Sequence, residues 1–137
     1  MHQLLLMRHA KAERARPDLP DFDRALAPSG LIAGATMRRK LQSLGVEPDV
    51  VLVSSLARLL DMLGGLRETA RSVLIVGHNP GIGELAWSLA ARGPESEAKA
   101  RLNEGFPTMR VAEFLVLTPW REISPATTRL QRVIDPV

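Results

Sequence analysis

Two short apolar runs, each halted at a histidine, limit what this chain can fold into. Leu4-Leu5-Leu6 leads into Met7-Arg8-His9-Ala10, and Ser72-Val73-Leu74-Ile75-Val76 leads into Gly77-His78-Asn79-Pro80-Gly81. Apolar runs without polar alternation belong to strands covered on both faces, the habit of parallel sheets flanked by helices. The first strand is expected to release the chain at Met7. Arg8 and His9 then stand at the carboxyl edge of the sheet, where open α/β sheets bind ligands.

The residue types at that edge suit phosphate. Imidazole is a nucleophile at neutral pH, and guanidinium presents a rigid fork of donors that matches phosphoryl oxygens. After His78 the sequence reads as a helix start, with Asn79 as N-cap, Pro80 at the first helical position and Glu84 in the opening turns. His78 is thereby expected beside the unpaired amides of a helix N-terminus, where an anion is welcome. One histidine at a strand end is weak evidence of a site; two delivered to the same edge are much stronger.

The remaining chain alternates strands and helices, which predicts an α/β fold with a central, mostly parallel sheet. Leu31 to Leu44 reads as a helix opened by Ser29-Gly30 and closed by Gly45, with Ile32, Ala35, Met37, Leu41 and Leu44 on its apolar face. Val50 to Val53 reads as a buried strand, Leu56 to Leu63 as a helix ended by Gly64-Gly65, and Gly81 to Arg92 as a third helix. Gly93 to Glu104 is polar and reads as a loop or irregular helix. Val111 to Leu117 and Arg129 to Ile134 read as strands, separated by turns at Thr118-Pro119 and Ser124-Pro125. The methionines and Trp87 are assigned to the core. His2 is expected before the first strand, exposed and without a role.

With 137 residues, 45% of them hydrophobic, the chain suffices for one substantial core, and a single domain over 1–137 is expected. The absence of cysteine excludes a disulfide scaffold and thiolate metal sites. Eighteen Lys and Arg against fifteen Asp and Glu give a formal charge of +3, too mild to call for a nucleic acid. No apolar stretch reaches membrane-spanning length, and the Leu4 to Met7 run lacks a basic leader and a cleavage site. A soluble, cytoplasmic monomer is expected, with no membrane or nucleic-acid partner.

Leu6-Met7-Arg8-His9-Ala10, Asp21-Phe22-Asp23-Arg24-Ala25-Leu26, Val53-Ser54-Ser55-Leu56-Ala57-Arg58, Gly77-His78-Asn79-Pro80 and Phe106-Pro107-Thr108 occur in that order. Over essentially its whole length the chain thereby resembles the histidine phosphatase superfamily, and within it the small phosphohistidine phosphatase branch. The resemblance implies a phosphoglycerate mutase-like, three-layer α/β/α sandwich with one antiparallel edge strand. It implies that His9 attacks phosphorus and that water hydrolyses the resulting phosphohistidine. Arg8, Arg58 and His78 are then the groups that stabilise the transferring phosphoryl, with Arg24, Ser55 and Asn79 as further phosphate-binding candidates. Asp21, placed by its distance from Arg24, is expected to orient a histidine or handle a proton. The neighbouring Asp18 and Asp23 read equally well as a solvated loop.

The sequence departs from the family pattern after Arg58. Members usually continue with an Arg-x-x-Gln-Thr helix and another strand-and-helix passage, whereas Arg58 here runs into Leu59-Leu60-Asp61-Met62. Either the chain is a shortened member, or a stretch between Ser55 and Ser72 is missing and Arg58 imitates the motif from its far side.

Three functions fit these residues: a phosphatase of phosphohistidine on a protein, a phosphatase of small phosphomonoesters such as a sugar phosphate or nucleotide, and a non-catalytic phosphate-recognition module. None calls for a cofactor. Two histidines beside arginines do not make a metal centre, which wants several carboxylates or imidazoles converging. EDTA is accordingly expected to leave phosphatase activity unchanged; loss of activity restored by a divalent cation would contradict this reading of the site.

Overall fold

A computed structural model describes residues 2–9, 28–53 and 56–136, with only the backbone described at 28–35, 56–57 and 59–60. Nine regular elements follow one another among these residues: β1 (His2–Arg8), α1 (Pro28–Ser43), β2 (Val50–Val53), α2 (Leu56–Gly64), β3 (Ser72–Gly77), α3 (Gly81–Ala90), α4 (Glu97–Asn103), β4 (Val111–Val116) and β5 (Thr128–Ile134). The strands form one sheet in the order β2-β3-β1-β4-β5. β2, β3 and β1 are parallel, while β4 runs antiparallel to β1 and β5 antiparallel to β4. The sheet is therefore mixed, and its reversed strand β4 lies inside it, between β1 and the edge strand β5.

The alternation of side chains along β1 builds two cores. Leu4 and Leu6 face a cluster that holds Leu63 of α2, Ile82, Ala86 and Leu89 of α3, Leu102 of α4, and Trp120. Leu5 faces the opposite cluster, with Met37 and Leu41 of α1, Leu74 and Val76 of β3, and Met109. Helices thus cover both faces, the three-layer arrangement expected from the sequence. Leu4, Leu5 and Leu6 are completely buried, and each contributes about 1.5–3 kcal/mol relative to exposure in water.

Several expectations are corrected by position in the sheet. His2 belongs to β1 and is buried on the same face as Leu4 and Leu6; its ring packs 4.5 Å from that of Trp120 and its Nε2 lies 3.3 Å from the Glu68 carbonyl. β2 is an edge strand, so only Leu52 is buried while Val51 and Val53 are more than half exposed. Leu44 lies beyond α1 and is exposed. Trp87 falls off the buried stripe Ile82, Ala86, Leu89, Ala90 of α3, stays 40% exposed, and covers the Lys99 ammonium at 5.9 Å. Met62 is also exposed, while Met37 and Met109 are core residues.

Helix boundaries follow local chemistry. Gly45 does close α1: at φ +73° it lets Val46 N–H reach the Leu41 carbonyl and its own N–H reach that of Gln42, with Val46 and Leu41 packed in one core. α1 begins three residues before the expected start. The polar stretch expected to be a loop or irregular helix contains the regular helix α4, capped by Ser96 Oγ accepting from Lys99 N–H at 3.1 Å. Its composition, Glu-Ala-Lys-Ala-Arg-Leu, is rich in strong helix formers. α3 stops at Ala90, where the Lys99 ammonium takes the Ala91 and Gly93 carbonyls. Short 3₁₀ turns at Trp120–Glu122 and Pro125–Thr127 fill the turn-rich stretch.

At the end of the sheet remote from the histidines, a polar chain crosses four strands. Ser72 Oγ donates to Gln3 Oε1 at 2.6 Å, Gln3 Nε2 donates to Glu113 Oε2 at 2.7 Å, and Arg132 Nε donates to Glu113 Oε1 at 2.8 Å. Glu113 is buried and carries the middle of this chain. Removing it strands two donors at once, so Glu113→Ala should destabilise by about 1–3 kcal/mol. A urea midpoint within error of the unsubstituted chain would show that the chain of hydrogen bonds contributes nothing.

Candidate active site

The site is set by register. In the parallel ladder Arg8 pairs with Gly77, so the next residue on each strand is a histidine. His9 N–H extends the ladder by donating to the Gly77 carbonyl at 2.7 Å. The His9 and His78 rings stack 4.8 Å apart, inclined by only 21°. Two imidazoles separated by 69 positions in the chain thus share one spot at the carboxyl edge of the sheet, both half-buried.

α3 begins directly behind them. The His78 carbonyl accepts from Ile82 N–H at 2.9 Å, which starts the helix with Pro80 as its capping residue. Asn79, expected as the N-cap, therefore lies one residue before it, and Pro80, expected at the first helical position, takes the cap. Asn79 still serves the helix end: its Oδ1 accepts from Gly83 N–H at 3.1 Å. The Asn79–Pro80 peptide is cis. A Cβ at Gly83 would sit 2.9 Å from Asn79 Oδ1 and 3.3 Å from Phe106 Cβ, so any larger residue makes the Asn79 side chain shift.

Arg8 and Asn79 converge on one acceptor. Arg8 Nη1 donates to the Phe106 carbonyl at 3.2 Å, and Asn79 Nδ2 donates to the same oxygen at 2.9 Å. One loop carbonyl thereby ties the guanidinium after β1 to the carboxamide after β3. Met109 N–H donates to the Arg8 carbonyl at 3.0 Å from the same loop. Phe106 was noted in the sequence only as part of a matched segment; its carbonyl, which no sequence pattern advertises, organises the edge.

The structure thus brings together Arg8, His9, His78 and Asn79. Arg58 stands exposed on α2 and borders a concavity of about 480 Å³ with Val53, Asp61 and Met62; neither histidine is among its described lining residues. Val53 pairs with Val76, two residues before His78, which puts this concavity at the same sheet edge. Asp21, Arg24 and Ser55, with Asp18 and Asp23, lie outside the described residues. No group of three or more metal-ligating side chains occurs among the described residues. No described helix is long and apolar enough to cross a membrane.

β2 and β3 are adjacent and parallel, and α2 alone makes the crossover between them. An uncharacterized protein of Mycobacterium leprae is 27% identical over an alignment of 154 positions that covers 90% of this chain and 96% of the relative. That span exceeds the 137 residues available, so the relative carries residues that this chain lacks.

No protein-family model matches the chain. Among solved structures, a candidate phosphohistidine phosphatase SixA from Nakamurella multipartitia superposes with a TM-score of 0.78 at 27% identity, covering 99% of this chain and 96% of that one. A candidate SixA from Agrobacterium tumefaciens gives 0.75 at 22% identity, covering 98% of each chain. The protein histidine phosphatase SixA in complex with tungstate gives 0.69 at 18% identity, covering 98% and 97%. The chain thus has the fold of the SixA phosphohistidine phosphatases, the small branch of the histidine phosphatase superfamily that its motifs resemble.

Proposed function

We propose that the protein is a phosphatase acting on phosphohistidine of a protein partner through a covalent phosphohistidine on His9. The observation that carries this reading is the stacked His9/His78 pair beside Arg8 at the carboxyl edge of β1 and β3.

The chemistry divides between the two imidazoles. An imidazole nitrogen of His9 donates its lone pair to phosphorus while the bond from phosphorus to the leaving group breaks on the opposite side. The leaving imidazole takes its electron pair and needs less acid help than an alkoxide would. Water then attacks the phosphorus on His9, breaking the phosphorus–nitrogen bond and freeing inorganic phosphate. Charge spreads over the equatorial oxygens in both steps, where fixed donors act most strongly. Arg8 supplies the planar cation, His78 an N–H, and α3 the positive end of its dipole. Arg58, at the edge of the same sheet, is the second cation in this proposal, with Ser55 and Arg24 on the phosphate and Asp21 orienting a histidine or handling a proton.

Asn79 acts at one remove. Its carboxamide spans Phe106 and Gly83, so its part is to hold Arg8 and the start of α3 in register with each other. The small size of the chain, 137 residues, favours a protein substrate. Side-by-side turnover of a phosphohistidine protein and a panel of phosphomonoesters tests this choice, and preference for a sugar phosphate or nucleotide would reverse it.

His9→Ala should abolish turnover in a chain that still folds, whereas His78→Ala should slow it by roughly a hundredfold to a thousandfold, the usual loss for one preorganised donor. Trapping acid-labile phosphate on the protein separates the two variants. Phosphoenzyme that persists in His9→Ala and vanishes in His78→Ala would exchange their roles, and its absence from the unsubstituted chain would leave a phosphate-binding module.

Gly83→Ala tests the clamp. In an ordinary exposed helix this change stabilises by about 1 kcal/mol. Here the new methyl displaces Asn79, and a net destabilisation of about 1–3 kcal/mol is expected, read as a lower thermal midpoint together with weaker phosphate binding. A stabilised variant with unaltered phosphate affinity would remove Asn79 from the mechanism.

A further inference from the structure

Arg110 is a buried cation that never reaches the histidines. It directly precedes β4, is 8% exposed, and spends its whole guanidinium inside the protein. Nε and Nη2 donate to the two carboxylate oxygens of Asp135 at 2.7 and 3.0 Å. Nη1 donates to the carbonyls of Arg101 and Gly105 at 2.9 and 2.8 Å, around the end of α4.

Asp135, one residue past β5, gathers the other partners. Its carboxylate also accepts from Arg101 Nη2, and its main-chain carbonyl accepts from Lys40 Nζ of α1 at 2.6 Å. The hydrogen bonds from Arg110, with its charge and those of Arg101, hold the Asp135 carboxyl below the usual carboxylate range against the opposing effect of burial. One carboxylate thus joins the ends of α4 and β5 to the start of β4.

The backbone that Arg110 anchors is the loop over residues 105–110, and this loop grips Arg8 at three points. Met109 N–H donates to the Arg8 carbonyl, Arg8 N–H donates to the Arg110 carbonyl at 3.3 Å, and Arg8 Nη1 donates to the Phe106 carbonyl. Arg110 N–H closes a turn onto the Pro107 carbonyl at 3.2 Å, with Met109 at φ +65°. A residue other than glycine keeps that conformation only where its surroundings dictate it.

We propose that Asp135 is a positioning residue for Arg8: by clasping Arg110 it fixes the 105–110 loop, and the Phe106 carbonyl at the head of that loop fixes the aim of the Arg8 guanidinium at the phosphoryl group. The inference rests on the reading of Arg8 and His9 as the phosphate site. It explains why a largely buried ion pair, Arg110 with Asp135, anchors the loop that holds Arg8.

A double-mutant cycle read by calorimetric binding of inorganic phosphate tests it without relying on turnover. Asp135→Asn should weaken phosphate binding roughly tenfold, a coupling typical of residues in one network. In the Arg8→Lys background, which keeps the charge and loses the planar fork, the same change should cost less than about twofold. An equal loss in both backgrounds makes Asp135 merely structural and overturns the proposal, as does unchanged affinity in folded Asp135→Asn. If that variant does not fold by circular dichroism, Arg101→Gln takes its place. It releases the carboxylate from its more exposed side and should weaken binding roughly threefold; no change overturns the proposal. Failure of the unsubstituted chain to bind phosphate is a different result, which overturns the reading of the site and this inference with it.

Discussion

Pairing Arg8 against Gly77 in the β1–β3 ladder decides where every chemical group of this protein goes. Strand side chains alternate between faces, so a slip of one residue would exchange the Leu4 and Leu6 core for that of Leu5. It would also separate the histidines that follow the two strands. The leucine run is thus more than hydrophobic ballast: burial on both faces fixes the register, and the register fixes the stack of His9 on His78.

Polar groups divide the sheet into two ends with different duties. At one end Ser72, Gln3, Glu113 and Arg132 hand hydrogen bonds across four strands and finish with no group left over for chemistry. At the other, hydrogen bonds converge on carbonyls, those of Phe106 and Gly77. Main-chain oxygens suit this duty because they accept a hydrogen bond without titrating, so the Phe106 carbonyl holds Arg8 without neutralising its charge.

Much of this was legible in the chain because it is local. Apolar runs gave the strands, Gly45 the end of α1, and the two strand-end histidines the site edge. What was missed depends on neighbours far away in sequence. β2 is apolar enough for a central strand, yet its place at the edge exposes Val51 and Val53. His2 reads as a polar leader until Trp120, more than a hundred residues on, covers it. α4 carries its signal in propensity and in the Ser96 cap, while its mainly polar composition hides the few inward residues, Ala98, Lys99 and Leu102. The Phe106 carbonyl was invisible because every residue has one, and only the path of the loop gives it a purpose. The side-chain chemistry of Asn79 points to the helix start, and its Oδ1 does accept from the first turn of α3, although Pro80 and not Asn79 occupies the cap.

The placement of β1 in the middle of the sheet also sets an order of assembly. Its partners are strands that arrive late: Gln3 reaches Ser72 across 69 positions and Glu113 across 110. Little in the first half of the chain can satisfy β1 on its own, since β2 meets it only through β3. Closing such long loops costs entropy before contacts repay it, which slows folding. A chain emerging from the ribosome therefore holds β1, and His9 just after it, unpaired until β3 and β4 have been made. The stack of His9 on His78 comes into being only when β3 pairs with β1, so no form that ends before β3 presents both histidines together.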